Sequence, residues 1–241
     1  MSNKTIMYYG DLVGSATLTA STEVAGYEKE FLQDYTPSSK WLSSADPSSM
    51  SFDFTTVGQL QSAVWVGGSN MVTGDTTYTY GTGTTAAATD TVVNLDKQEN
   101  SFKELIHNKR YGKLSITKAA GNGQVGKVYV AEHKFELPKD FDRNYTGGTL
   151  TEYVTNSGRY GQINREVQYS KYINSFSITG MGNTQKLILD ETIRKEKNII
   201  FWDGELQKAF FGILVLGEPE FVKSDTAGAI WNISGSFEEA L

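Results

Sequence analysis

Three glycines form the one textual match to a cofactor-binding motif. Gly121, Gly123 and Gly126 are spaced as G-x-G-x-x-G, the pattern that holds a dinucleotide where a strand leads into a helix. The residues that follow, KVYVAEHKFEL, form an extended, β-favouring run, so no helix N-terminus is expected for a pyrophosphate. We interpret the motif as a hairpin turn and not as a nucleotide site.

Residue types that often carry catalysis are few or scattered. His107 and His133 have no second ligand at metal-binding spacing, and no G-x-S-x-G elbow supports a Ser-His-Asp triad. Paired acids occur at Glu28 with Glu30, Asp140 with Asp142, and Glu238 with Glu239. Such pairs serve glycoside hydrolysis but are far more often solvated surface. We predict a non-enzymatic protein without a cofactor, and a hydrolase with dispersed acids is the third alternative.

Composition bounds the class of partner. The chain has 241 residues, 39% hydrophobic and 12% aromatic, which is enough to bury one large core or two small ones. Its 22 basic and 28 acidic residues give a net charge of −6 without a basic run, so nucleic acid is not an expected partner. The lack of cysteine excludes disulfides and thiolate sites. No window approaches the roughly 20 apolar residues of a membrane span, and no secretion signal is evident, so we expect a soluble, unprocessed protein.

Tyrosines in two predicted loops are the candidate contact residues. The loops are residues 73–91 and 139–162, both rich in Gly, Thr, Asn and Asp. The tyrosines are Tyr78 and Tyr80 in the first loop, and Tyr145 and Tyr153 in the second. A tyrosine offers a flat apolar face and a polar tip, which suits a sugar-stacking platform or a protein interface. Tyrosines folded back onto the domain surface are the third alternative.

Period-two alternation dominates the first part of the chain. Met50, Phe52 and Phe54 alternate with polar residues, and so do Leu114 and Ile116. This pattern is typical of antiparallel sheet with one buried face. We therefore predict a mainly β protein.

The second part adds one helix to this pattern. Residues 184–197 are predicted to be helical, with Thr184 as the cap. A strand, a tight turn at Asp203-Gly204 and a second strand should follow. The chain is predicted to close on a last strand in which three apolar residues share a face: Trp231, Ile233 and Phe237.

The segment LQDYTPSSKWLSSADPSSMSFDF resembles the signature loop and strand of discoidin-like, galactose-binding jelly rolls. Asp34, Ser39, Trp41, Phe52 and Phe54 fill its slots: an Asp-containing turn, a small residue, a Trp, and an apolar-x-apolar strand. The resemblance implies an antiparallel β-sandwich with ligand loops at one end.

That resemblance also bears on ligands. A structural calcium is frequent in the family, and the candidate ligands are Asp34 and Asp46, which lie among Ser and Thr oxygens. A sugar-binding function would use loop aromatics such as Tyr78, Tyr80 or Trp41. The place of Trp41 in the discoidin-like pattern implies that it is buried instead.

The C-terminal part resembles the tail and tail-tip structural proteins of bacteriophages. In those proteins a strand is followed by a helix, an aromatic-rich strand, a turn and two long strands. The corresponding run is INSFSITG, the predicted helix, NIIFWDGELQKAFFGILVL and GAIWNISGSFEEAL. The resemblance implies a module that assembles with other copies.

These patterns predict three segments. Residues 1–138 would form the discoidin-like β-sandwich of the jelly-roll type, 139–162 a linker or loop, and 163–241 a β meander with one helix that serves assembly. Exposed strands of this module would pair or pack with neighbouring copies, and the last strand would be the assembly strand.

The leading functional hypothesis is a virion structural protein of a tailed phage. It would be made in the host cytoplasm and would assemble as an oligomeric ring in the tail, tail tip or neck. Its partners would be copies of itself, other virion proteins and a host surface glycan, without nucleic acid or membrane. The alternative is a carbohydrate-binding module or adhesin involved in host recognition.

Overall fold

Antiparallel β-strands make up most of the regular structure, as the period-two alternation predicts. The computed structural model describes residues 4–34, 39–70, 76–81, 91–95, 100–118, 121–137, 141–157, 163–225 and 228–240. Within them, 91–94, 141–157, 163–170 and 224–225 are described by their backbone. No helix in these ranges is long and apolar enough to cross a membrane.

The chain forms two units, Tyr8–Phe135 and the remainder, which is Met1–Met7 with Glu136–Leu241. The earlier strands are β1 (Ile6–Asp11), β2 (Thr17–Ala20), β3 (Trp41–Leu42), β4 (Ser48–Asp53), β5 (Leu60–Gly67), β6 (Thr76–Gly81), β7 (Thr91–Asn94), β8 (Ser101–Asn108), β9 (Tyr111–Ile116), β10 (Gln124–Val125) and β11 (Lys127–Glu136). The later strands are β12 (Phe141–Ser157), β13 (Ile163–Met181), β14 (Ile199–Asp203), β15 (Lys208–Leu216), β16 (Glu220–Asp225) and β17 (Gly228–Glu239). Short 3-10 turns lie at Val13–Ser15 and Lys29–Gln33.

Two sheets pack face to face in the Tyr8–Phe135 unit. One has the strand order β1-β11-β5-β8 and the other β2-β4-β9-β6-β7. Side chains from both sheets form one buried cluster, which includes Phe52, Val64, Leu114 and Val128. Alternate residues of a strand point to opposite sides of its sheet, so each strand contributes its apolar face to the cluster. The predicted antiparallel β-sandwich is confirmed.

Residues 76–81 form strand β6, although they were predicted to belong to the loop at residues 73–91. Tyr78 and Tyr80 lie on this strand, and their exposed fractions are 0% and 2%. The Tyr78 hydroxyl donates to Gln61 Oε1 at 2.8 Å, and the Tyr80 hydroxyl shares a hydrogen bond with His107 Nε2. Glycine and threonine suggested a loop, but the Thr-Tyr-Thr-Tyr alternation is a strand pattern with an inward aromatic face. The prediction that these two rings contact a ligand is wrong, because both are buried in the core.

The glycine motif does not make the predicted hairpin turn, because β9 pairs with β4 and β6, whereas β10 pairs with β3. Gly121 has a φ of +78°, a conformation that side chains other than glycine rarely adopt. A Cβ on Gly123 would come within 2.9 Å of Ile116 Cγ2, so close packing also requires glycine there. The chain continues into β10 and β11 and not into a helix.

The second unit combines a sheet with one helical segment. The sheet has the order β12-β13-β17-β15-β14, with β16 beside β17. The helical segment is α1 (Asn183–Leu187), continued by a π-helical turn (Ile188–Thr192) and a 3-10 turn (Ile193–Lys195). The predicted helix is therefore confirmed, although its N-cap is Gly182 and not Thr184. The segment contacts β17 and β15 and buries Leu189 and Ile193.

Strand β17 runs through the middle of that sheet. It pairs with β13 along one edge and with β15 and β16 along the other. Ile233 and Phe237 are buried, and Trp231 is half-buried. The closing strand is confirmed. Both of its edges are already paired within the chain, and the assembly role of its three apolar residues stays a prediction.

Two predicted connections also differ from the structure. Strand β12 occupies most of the segment 139–162, because its Thr- and Tyr-rich alternation outweighs the glycines that suggested a linker or loop. Tyr145 and Tyr153 lie on β12, but their side chains are outside the described part of the structure. The turn after β14 spans residues 204–207, four residues instead of two, and Asp203 Oδ1 accepts two of its amides.

Replacing Tyr78 by Phe should destabilise the sandwich. The variant leaves the buried Gln61 oxygen without its donor, which should cost about 1–2 kcal/mol of unfolding free energy. Urea denaturation of the full chain measures this as a lower transition midpoint. Tyr27→Phe is the matched control, because the Tyr27 ring is exposed and its substitution should cost less than about 0.5 kcal/mol. Equal losses from the two variants would contradict the assignment of Tyr78 to the core.

Candidate functional site

Loops gather at one end of the sandwich. Ala20, the last residue of β2, pairs with Met50 near the start of β4. Ile116, the last residue of β9, pairs with Ser48 and Thr76, the first residues of β4 and β6. The ends of these four neighbouring strands therefore lie together. The described parts of the loops that leave these strand ends are residues 21–34, 39–47, 68–70, 117–118 and 121–126. We call this surface the loop end.

Tyr27 is an exposed aromatic residue of the loop end, with 47% of its surface accessible. Its amide donates to the Val24 carbonyl at 2.9 Å, and its own carbonyl accepts from the Leu42 amide at 3.2 Å. The Val24 amide also donates to the Leu42 carbonyl, at 3.0 Å. Leu42 follows Trp41, which is fully buried. The backbone on both sides of Tyr27 is therefore fixed, while its ring faces solvent.

Charged side chains lie in the same loop as Tyr27. Lys29 Nζ lies 2.9 Å from Glu30 Oε1 and 3.7 Å from Glu23 Oε1. The hydrogen bond from Lys29 lowers the pKa of Glu30, and the same bond raises the pKa of Lys29. Glu28 Oε1 accepts a backbone amide within the loop at 2.8 Å. At neutral pH the loop thus offers charged donors and acceptors beside an apolar ring.

Side chains also connect the other loops of this surface. Asn70 Nδ2 donates to the Asn122 carbonyl at 3.0 Å, and Asn70 Oδ1 accepts from the Gln124 amide at 2.9 Å. Lys118 Nζ donates to the Asn70 carbonyl at 2.9 Å. The Lys118 amide donates to Asp46 Oδ1 at 2.8 Å. These bonds connect three loops of the surface to one another.

The candidate calcium ligands are not brought into a metal site. The Asp46 carboxylate accepts the Lys118 amide, and Asp34 ends the Lys29–Gln33 turn. In the described ranges of the chain, no group of three Asp, Glu, His or Cys side chains could hold a metal ion. Calcium takes six to eight oxygen ligands, and the described residues gather no such group of acidic side chains around Asp34 or Asp46.

Both histidines contact aromatic rings of the sandwich. The His107 ring stacks on Tyr80 with centroids 4.2 Å apart. The His133 ring lies 5.3 Å from Tyr9, and its Nε2 is 3.6 Å from Glu132. These are packing contacts away from the loop end.

Tyr78 and Tyr80, predicted as contact residues from their Gly- and Thr-rich surroundings, are buried, whereas Tyr27, which the prediction did not include, is exposed at the loop end. The available signal was the run AGYEKE, in which a glycine precedes Tyr27 and charged residues follow it without period-two alternation. Trp41 is buried, as the discoidin-like pattern implies, and is no longer a candidate for sugar stacking.

Comparison with known proteins gives matches only among solved structures. No protein-family model and no curated protein matches the sequence. The chain is similar to the lectin domain of lectinolysin complexed with Lewis b antigen, at 11% identity and a TM-score of 0.45, covering 52% of this chain and 99% of that one. It is also similar to chitosan-binding module 1 of a chitosanase/glucanase from Paenibacillus sp. IK-5, at 15% identity and a TM-score of 0.41. That match covers 51% of this chain and 98% of the module. A Streptococcus pneumoniae fucose binding module matches at 11% identity and a TM-score of 0.44, covering 52% of this chain and 96% of the module.

Proposed function

We propose that the Tyr8–Phe135 unit is a non-catalytic glycan-binding module whose ligand lies on the loop end. The observation that carries the proposal is the exposed Tyr27 ring on a loop with a fixed backbone. A rigid aromatic ring offers contact area at low entropic cost, which favours binding of the apolar face of a sugar. Carbohydrate is also the ligand class in the names of the similar solved structures.

Charged groups near Tyr27 suit the hydroxyl groups of a sugar. Glu23, Glu28 and Glu30 are acceptors, and the Lys29 ammonium is a donor. Each already has a partner within the loop, so it is oriented before a ligand arrives. Because the surface is open and solvated, we expect weak binding at a single site, about −4 to −6 kcal/mol.

The same contacts support binding over catalysis. The acids of the Tyr27 loop are bonded to Lys29 or to backbone amides, and the two histidines pack against aromatic rings elsewhere in the unit. A general acid with a raised pKa beside a free base would be needed for glycoside hydrolysis. Glu30 has a lowered pKa, which is the opposite condition.

Replacing Tyr27 by Ala should abolish most glycan binding. A glycan array first identifies the sugar, and titration calorimetry of the full chain then measures its affinity. Loss of the ring should weaken binding at least about tenfold, since stacking supplies much of a small binding energy. Val57→Ala is the control, because Val57 is 82% exposed and lies between β4 and β5, at the opposite end of those strands. Unchanged affinity in Tyr27→Ala, or no binding to any glycan, would refute the proposal.

A second candidate function is a structural subunit of a tailed-phage virion, assembled as an oligomer. It has one structural observation in its favour. Strand β13 pairs with β17 only from Ile173 onward. Its pairing with β12 continues beyond that point, from Thr151↔Ser170 to Ser157↔Ile163. We call residues 151–157 and 163–170 the arm.

The arm has properties of an assembly element. In the part of the chain that the structure describes, its two strands pair only with each other. A two-stranded ribbon is marginally stable in water. Pairing with another copy would stabilise it.

Shortening the arm should convert an oligomer into a monomer. Residues 152–169 are replaced by Asn-Gly, which keeps the Thr151↔Ser170 pair and closes it with a favoured two-residue turn. Light scattering measures the mass of both proteins, and thermal unfolding confirms that the variant folds. Thr155→Lys is a second variant, which should weaken assembly by placing a charge in the ribbon. A monomeric full-length chain, or an oligomer that survives the deletion, would exclude this role for the arm.

A further inference from the structure

A lysine ammonium is buried below the loop end. Lys127 begins β11, and its side chain is only 5% exposed. Its Nζ lies 3.3 Å from Asp11 Oδ2 and 2.9 Å from the carbonyl oxygen of Leu32. The Asp11 side chain is 4% exposed and Leu32 is fully buried, so the ammonium is bonded in a site screened from water. A lysine is rarely buried to this extent unless it is paired.

The pair with Asp11 is fixed from the other side as well. Asp11 Oδ1 accepts the amide of Val13 at 3.0 Å, where the chain turns from β1 toward β2. Burial raises the pKa of Asp11, while Lys127 and the amides of Val13 and Gly14 act against that rise. A buried charge without such partners would be strongly destabilising. Each of the two buried groups, Lys127 and Asp11, therefore needs the other as its charged partner.

The Leu32 carbonyl links this pair to the Tyr27 loop. Leu32 belongs to the Lys29–Gln33 turn, which begins two residues after Tyr27. The next residue, Gln33, donates from Nε2 to the carbonyls of Val13 at 3.0 Å and Ala16 at 2.9 Å. The turn is thus held by Lys127 and by Gln33 against the connection between β1 and β2.

These contacts bear on the calcium that the discoidin-like resemblance implies. A carboxylate and a backbone carbonyl are the oxygen types that calcium binds, and here both receive an ammonium. We propose that the Lys127 ammonium is the resident cation of this loop in place of a metal ion, and that Lys127 is a positioning residue for Tyr27. Its effect on ligands rests on the proposed glycan binding, whereas the cation assignment does not.

Metal dependence tests the first half of the proposal. The melting temperature of the full chain should differ by less than about 1 °C between excess EDTA and added calcium. Calcium would raise it only if the folded chain bound calcium, and the proposal is that it does not. A clear rise with calcium would overturn the assignment of Lys127 as the resident cation. Glycan affinity should be equally insensitive to EDTA.

A double variant tests whether Lys127 positions the Tyr27 loop. Asp11→Asn with Lys127→Met removes both charges together and leaves none unpaired, so the chain should fold, whereas Lys127→Met alone should be much less stable. In the double variant, hydrogen exchange of amides 24–33 should be at least about tenfold faster, while amides of β4 and β9 keep their protection. Glycan binding should weaken at least about fivefold through loss of preorganisation.

The control is Lys134→Met on the same strand. Lys134 pairs with Glu104 at the surface, at 3.1 Å, so its loss should change neither exchange nor affinity. Unchanged exchange at residues 24–33 in the double variant would overturn the positioning role. If the wild-type chain binds no glycan, the proposed function fails, and the EDTA and exchange measurements still decide the role of Lys127.

Discussion

Burial of one continuous core between two sheets fixes where the loops of the Tyr8–Phe135 unit begin. Phe52, Leu114 and Tyr78 come from neighbouring strands of one sheet, and they pack in the same cluster as Val64 and Val128 of the other. Shifting any of these strands by one residue would turn its apolar side chains outward. The register of the core therefore places several strand ends together and gathers their loops at one surface. The geometry of the loop end follows from the core and not from the loops alone.

The sequence predicts the strands well because their pattern is local. Met50, Phe52 and Phe54 alternate with polar residues, and that alternation alone indicates a half-buried strand. Exposure of a tyrosine is not local in the same way. Tyr78 is buried because a strand lies on each side of it and because Gln61 receives its hydroxyl. Nothing within a few residues of Tyr78 encodes those partners.

The anchoring of the Tyr27 loop was even less accessible to sequence reasoning. Lys127 and Asp11 are separated by 116 positions, and the bond that joins them exists only when β11 and the end of β1 are adjacent. Asp34 and Asp46 were predicted as calcium ligands because they lie in one loop among Ser and Thr oxygens. A single buried acid that is paired with a lysine gives no such pattern. The resemblance thus indicated the architecture correctly, while the proposed cation role of Lys127 follows from its contacts.

Weak sugar binding and assembly are complementary properties. A site built around one exposed aromatic ring has little contact area, so its affinity alone would hold a ligand only briefly. Linked copies of such a site change this, because the second contact becomes intramolecular and avidity can exceed single-site affinity by about 10²–10⁴. An oligomer formed through the arm would supply the copies without any change at Tyr27. The two candidate functions would therefore depend on separate parts of the chain. Under the two proposals, Tyr27 and Lys127 would determine what one site binds, and the arm would determine how many sites act together.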